Sequence, residues 1–219
     1  MTYSEFKSKL LSYPLFSTAD LKLLLGADFN RSLLNNLKRW ESDGRIVKLK
    51  KGLYLLRVDR ESINPMILAE KIYSPSYISL EFALGYYGII PEAVFTITSI
   101  STKKSNFFSI PGVGYFSYQT IKPKAFGGYL TYTENEISYN LAEPEKALLD
   151  FFYLNKRVMN GTDSNFLSYR FSELFHYNAK RIKELAKYFS NRKTTFLVNK
   201  FCDFNRRRKE GNVTEKGFF

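Results

Sequence analysis

Asp28-Phe29-Asn30-Arg31-Ser32-Leu33-Leu34-Asn35-Asn36-Leu37-Lys38-Arg39-Trp40-Glu41-Ser42-Asp43-Gly44 runs directly into Arg45-Ile46-Val47-Lys48-Leu49-Lys50-Lys51-Gly52-Leu53-Tyr54-Leu55-Leu56. In the first half Leu33, Leu37 and Trp40 recur at steps of three and four, with Leu34 beside them, which gives a helix one apolar face. Gly44 stands where such a helix ends in the left-handed conformation, and Asp28 is a candidate cap at its start. In the second half Ile46 and Leu49 lead into Lys50-Lys51-Gly52, and Leu53–Leu56 returns, the pattern of a short hairpin with a basic tip.

A helix followed at once by a basic hairpin is how a winged helix-turn-helix ends. The face opposite Leu33, Leu37 and Trp40 carries Arg31, Asn35, Lys38 and Ser42, with Asn36 and Arg39 at its edges and Asn30 at its start. Arg pairs with guanine, Asn with adenine and Lys with phosphate, so these side chains suit a duplex groove. A plain solvated helix face has similar residues. The hairpin lysines Lys48, Lys50 and Lys51 and two preceding helices favour DNA.

Those helices are read as follows. Residues 3–13 place Phe6, Leu10 and Tyr13 on one face, and Pro14 ends the run. Ser17 or Thr18 caps a second helix with Asp20 in its first turn, Leu21, Leu24 and Leu25 toward the core, and Gly26 closing it. Three helices and a hairpin in residues 1–60 have the size of one DNA-binding module.

Charge supports this division. The 219 residues carry a net charge of +12, unevenly placed. Residues 1–60 hold 12 Lys/Arg against 6 Asp/Glu, residues 61–169 hold 8 against 10, and residues 170–219 hold 13 against 5. Basic ends around a slightly acidic middle point to a polyanion, nucleic acid ahead of a membrane surface. Hydrophobic residues make up 44%, enough for a packed core and too many for wholesale disorder. One cysteine, Cys202, excludes an intramolecular disulfide, and with the single His176 leaves no Cys/His metal site. Neither a secretory leader nor an apolar run long enough to span a bilayer is present, so a cytoplasmic protein is expected.

After a polar connector over 57–62, Asn64-Pro65 opens a helix to Ile72, and Ser79 caps a short one holding Leu80, Ala83 and Leu84. Ala93–Ile100, Phe107–Ile110, Gly114–Ile121, Phe126–Tyr132 and Ile137–Leu141 read as strands, separated by Pro111-Gly112, Pro123 and a polar turn over 133–135. Glu143-Pro144-Glu145 opens a strongly apolar helix, and residues 165–176, 178–190 and 193–203 read as three more. The expected fold class is α+β: a winged helix-turn-helix over 1–60, an α+β domain with a mostly antiparallel sheet and C-terminal helices over 61–204, and a flexible basic tail over 205–219.

The order of these segments resembles a family. After the winged helix come Tyr77-Ile78-Ser79-Leu80-Glu81-Phe82-Ala83-Leu84, Tyr86-Tyr87-Gly88, Ile90-Pro91-Glu92-Ala93-Val94 and Thr96-Ile97-Thr98-Ser99-Ile100-Ser101-Thr102-Lys103. Gly114-Tyr115-Phe116-Ser117-Tyr118, Ile121-Lys122-Pro123 and Ala142-Glu143-Pro144-Glu145-Lys146-Ala147-Leu148-Leu149-Asp150 follow. Over residues 15–155 the chain resembles the AbiE-type abortive-infection antitoxins (the AbiEi family), the transcriptional-regulator half of bacterial type IV toxin–antitoxin pairs. It departs from that pattern at Glu143, where a Thr or Ser cap is expected. The resemblance implies an autorepressor that binds operator DNA, and a second half that counters a nucleotidyltransferase-like toxin without a stable complex. It implies no cofactor. The alternative is a stand-alone winged-helix regulator, or an RNA- or protein-binding module without a toxin.

No nucleophile–base constellation is legible, so an enzyme is not expected. His176 sits between Phe175 and Tyr177, and neither Gly112/Gly114 nor Gly127-Gly128 opens a helix as a phosphate-cradling loop does. Lys103-Lys104, Lys122, Lys124 and Arg206-Arg207-Arg208-Lys209 are the basic groups left over, candidates for a second contact with nucleic acid or the toxin. The protein is expected to be a monomer or weak dimer.

Overall fold

The computed structural model describes residues 1–10, 14–57, 64–134, 137–173 and 175–211. Residues 11–13, on which Tyr13 and the expected end of the first helix fall, the connector at 58–63, residues 135–136, residue 174 and the chain beyond 211 lie outside the described residues. The fold is α+β. The chain divides into two compact units, Met1–Leu68 with Ile110–Val113, and Ala69–Ser109 with Gly114–Phe219.

The first unit contains α1 (Tyr3–Lys9), β1 (Leu15–Ser17), α2 (Thr18–Leu25), a 3-10 turn (Gly26–Asp28), α3 (Arg31–Ser42), β2 (Ile46–Lys50) and β3 (Leu53–Leu56). Both of the first two helices start in capping boxes. Thr2 and Glu5 exchange hydrogen bonds at α1, and Ser17 and Asp20 do so at α2, satisfying backbone N–H groups that the first turn leaves without partners. The strands form an antiparallel sheet in the order β1-β3-β2. β1 is too short to show alternation in the sequence. Phe6, Leu10, Phe16, Leu21, Leu25, Leu33, Leu37, Trp40, Ile46 and Leu56 form one buried cluster. Leu24, expected inside, is 48% exposed, because Leu21 and Leu25 one turn apart already fill the buried face.

α4 (Pro65–Ile72) begins at Asn64, whose Oδ1 accepts the Met66 N–H at 3.0 Å. The second unit then contains β4 (Ser76–Ile78), α5 (Leu80–Tyr86), β5 (Thr96–Ser101), β6 (Asn106–Ile110), β7 (Gly114–Thr120), β8 (Tyr129–Glu134), β9 (Ile137–Ala142), α6 (Pro144–Asn155), α7 (Asp163–Ser168), α8 (Ala179–Phe189) and α9 (Arg192–Lys209). Its six-stranded sheet has the order β6-β7-β5-β4-β9-β8 and is mixed. β4–β5 and β8–β9 are antiparallel, whereas β5–β7 and β4–β9 are parallel.

The internal strand β4 has three residues and no polar–apolar alternation, so nothing in its pattern announces it. α7 ends at Ser168 instead of continuing to 176, with Arg170 just beyond it in the left-handed region at φ 51°. α9 is longer than expected and carries Arg206–Lys209, so the basic segment does not fray at residue 205. The physical reason is pairing. Arg207 forks onto Asp163 at 2.6 and 2.7 Å, and Arg208 reaches Glu173 and the Phe171 carbonyl.

α6 carries the central polar contact of this unit. Lys146 and Asp150, one turn apart, are 1% and 0% exposed and form an ion pair. Tyr77 Oη and Ser79 Oγ both donate to Asp150 Oδ2, at 2.9 and 2.8 Å, and the Lys146 ammonium also donates to Tyr77 Oη at 2.6 Å. Ser79 therefore stands at the α5 N-cap position without capping it; its hydroxyl serves Asp150. Burial pushes Asp150 up and Lys146 down from their usual ranges, and the pair's mutual attraction works against both shifts. Glu143, at the α6 N-cap, gives no side-chain cap and instead accepts a two-pronged contact from Arg181 at 2.8 and 2.6 Å.

Removing one member of a buried pair leaves the other charge uncompensated, which costs about 3–5 kcal/mol. Asp150→Ala is expected to lose stability on that scale in urea denaturation, while Lys146→Met with Asp150→Leu loses much less. Equal losses would mean that packing, not charge, governs the site.

Candidate nucleic-acid interface

α3 starts at Arg31 because Asn30, not Asp28, caps it: Asn30 Oδ1 accepts the Leu33 N–H at 3.1 Å. Asp28 instead pairs with Lys9 at 3.2 Å. At the other end the Gly44 N–H reaches the Glu41 carbonyl at 3.0 Å and the Arg45 N–H reaches the Trp40 carbonyl at 2.8 Å. That double closure needs a left-handed residue, and Gly44 supplies φ 67°. The Arg57 guanidinium donates to the Gly44 carbonyl at 2.8 Å, fastening the end of the hairpin to the end of the helix.

Leu33, Leu37 and Trp40 are at most 2% exposed, which fixes the rotation of α3. At 3.6 residues per turn, Arg31, Asn35, Lys38 and Ser42 then fall within an arc of about 60° on the opposite side. All four are exposed, as is Arg39. Among the described residues none of Arg31, Lys38 and Arg39 has an ion-pair partner. Asn30 is also exposed, but its carbonyl oxygen is spent on the cap. Asn36 is half-buried and donates to the Met1 carbonyl at 3.3 Å, so it faces away from the stripe.

The hairpin that follows is tight. Lys50 pairs with Leu53 across the two-residue turn Lys51-Gly52, and Gly52 takes φ 78°. A register shift between Lys48 and Lys50 turns Leu49 inward beside Ile46, which explains two buried residues three positions apart in a strand. The Thr18 N–H donates to the Gly52 carbonyl at 2.9 Å, tying the tip to the start of α2. Lys48 and Lys51 are exposed, while Lys50 is half-buried. Lys48 also lies 4.0 Å from Glu41 of α3.

A groove of about 480 Å³ runs beside the start of α3, lined by residues including Glu5, Lys9, Asp28 and Asn36. Its carboxylates are held by Thr2 and Lys9, and it has no surplus of positive charge for a phosphate.

The other basic candidates do not form one site. Lys103 is pinned, its ammonium donating to the Ser74 carbonyl and lying 5.7 Å from the Tyr73 ring centroid. Lys104, Lys122 and Lys124 are exposed. Lys124 lines a cavity of about 250 Å³ with Arg181, Tyr188 and the Gly127-Gly128 backbone. Arg206 lies 3.8 Å from Asp203, Arg207 and Arg208 are committed to ion pairs, and Lys209 approaches His176 at 3.5 Å. Cys202 is half-buried against Tyr177, and burial raises its thiol above the usual range.

The buried set of Lys146, Asp150, Tyr77 and Ser79 escaped the sequence reading. One signal was present: two opposite charges four apart, Lys146 just before and Asp150 inside the apolar run from Ala147 to Leu154. Among the described residues no group of His, Cys, Asp and Glu is placed to hold a metal ion, and no helix is long and apolar enough to cross a membrane. No family model matches the chain, and no curated protein matches it.

The α3 closure gives a direct check. Gly44→Ala forces a side chain into the left-handed region, at about 1–2 kcal/mol. A drop of that size in unfolding free energy is expected, and an unchanged midpoint would show that Gly44 is not needed there.

Proposed function

We propose that the first unit is a winged helix-turn-helix, that α3 enters the major groove of the chain's own operator, and that the protein is an autorepressor and AbiE-type antitoxin. The observation that carries the reading is the stripe of Arg31, Asn35, Lys38 and Ser42: exposed, on one arc of a rigidly oriented helix, and followed by a hairpin tipped by Lys51. α1, α2 and α3 with an antiparallel three-stranded sheet supply the frame such a module needs. Arg31 and Asn35 near the start of α3 are the base-reading side chains, as in other helix-turn-helix proteins. Lys38, Lys48 and Lys51 hold phosphates.

The second unit is the antitoxin half, countering a nucleotidyltransferase-like toxin without forming a stable complex. What supports this is the order of motifs from Tyr77 to Asp150, whose Lys146 and Asp150 build the core of that unit. Repression and antitoxicity then reside in different parts of one chain.

The test separates them. Arg31→Ala and Asn35→Ala are expected to weaken operator binding by about 1–3 kcal/mol each and to relax sequence preference, whereas Lys51→Ala weakens all duplexes alike. All three side chains are exposed, so melting temperature should not move. The same variants should still relieve the toxicity of the adjacent gene product. Unchanged operator affinity in all three variants would remove α3 and the hairpin as the reading element. Loss of toxin relief together with DNA binding would place both activities in the first unit.

A further inference from the structure

The open face of β6 and β7 is an unusual surface. Residues on β7 alternate: Phe116 and Tyr118 are fully buried, while Tyr115 is 52% exposed and Gln119 is exposed, with Ser117 between them on the same face. On the neighbouring edge strand β6, Phe107 is 57% exposed. The Phe107 and Tyr115 rings lie stacked on each other, centroids 6.1 Å apart and planes 19° apart. Two half-exposed aromatic rings held parallel on a strand pair present flat apolar faces on which another ring can stack.

The charge around them narrows the partner. From Ala93 to Thr133 the sequence has no Asp or Glu and four lysines, Lys103, Lys104, Lys122 and Lys124. The chain's 21 acidic residues in 219 would place about four carboxylates in such a stretch. The lysines gather toward one end of β7. Thr120 Oγ1 donates to the Lys103 carbonyl at 2.7 Å, which brings the Lys103-Lys104 segment against the end of β7, and Lys122 follows two residues later. Ser105 Oγ, next to Lys104, lies 3.4 Å from Gln119 Oε1 and 3.0 Å from Thr120 Oγ1.

We propose that this face binds a single nucleic-acid strand. Phe107 and Tyr115 stack on bases, Ser117 and Gln119 face the base edges, and Lys104 and Lys122 hold phosphates. Stacking on aromatic rings set in a sheet, with cations along the backbone path, is how unpaired strands are held. A duplex, whose bases are already stacked on one another, has no face to offer the rings. A second copy of the chain is the poorer occupant, because it would bring four more lysines to a stretch of sequence that has no carboxylate of its own, whereas a polyanion neutralises them.

The test uses the full chain with Arg31→Ala, Asn35→Ala and Lys38→Ala as background, so that the site is read without α3. Fluorescence anisotropy is measured on labelled single-stranded RNA and DNA of ~12 nucleotides and on a duplex of the same length, at two salt concentrations. Phe107→Ala with Tyr115→Ala is expected to weaken single-strand binding at least about tenfold, with duplex binding and melting temperature unchanged. Phe107→Leu with Tyr115→Leu, which keeps the apolar bulk and removes the π faces, should lose nearly as much. Lys104→Ala with Lys122→Ala should flatten the salt dependence instead. Equal single-strand affinity in the aromatic variants would overturn the proposal. So would concentration-dependent dimers of the parent chain that Phe107→Ala with Tyr115→Ala abolishes, since the β6 edge would then serve self-association. Because the background already lacks the α3 side chains, failure of this proposal leaves the operator reading untouched.

Discussion

A lysine and an aspartate with almost no access to water hold the second unit to one arrangement. Desolvating either charge alone is so costly that Lys146 and Asp150 must face each other, and each must keep its remaining hydrogen bonds. Asp150 takes them from Tyr77 and Ser79 on either side of Ile78, so α6 cannot rotate or slide relative to β4 without stranding a charge. The Lys146 ammonium sits 4.8 Å from the Phe189 ring centroid of α8 and 5.0 Å from that of Tyr77, and the Tyr77 ring packs on Phe126 and Tyr129. A Cβ at Gly128 would come within 3.1 Å of the Lys146 stem, so the entry to β8 is shaped by the same side chain. Helix, strand and loop thus converge on one ion pair.

The first unit is constrained differently. Its orientation comes from apolar burial on one side of α3 and from two left-handed glycines, Gly44 and Gly52, that let helix and hairpin close tightly. With Leu33, Leu37 and Trp40 inside, the side chains left facing solvent are those with no use in the core. Arg31, Asn35, Lys38 and Ser42 therefore form a stripe as a consequence of how the other face packs, and Arg57 and Thr18 tie the hairpin to the end of α3 and the start of α2. Precision of this kind, set by packing rather than by loops, is what reading base edges demands.

Sequence periodicity revealed whichever elements have one strongly apolar face. α3, its Gly44 terminus, the Lys51-Gly52 turn and the strands from β5 to β9 follow from spacing and turn residues alone, within a few residues at their ends. β1 and β4 did not, because three residues show no period and their strand character comes from the partners they pair with. The basic run at Arg206–Lys209 looked like a solvated tail because its acidic partners, Asp163 and Glu173, lie about 35 to 44 residues away in sequence. Lys146 was not legible as a buried charge, because burial of a charge is decided by tertiary partners. Phe107 and Tyr115 were indistinguishable from core aromatics until their exposure was known.

Whether α3 reads sequence, as proposed, is decided by a titration of the full chain on duplex DNA from upstream of its own gene. A scrambled duplex of equal length is the control, and both are measured at two salt concentrations. Preferential binding to the native duplex that persists at the higher salt is expected, since base-edge hydrogen bonds from Arg31 and Asn35 add to the part of binding that comes from counterion release. Equal binding to both duplexes that collapses together as salt rises would contradict it, leaving only the non-specific attraction of a +12 protein for a polyanion.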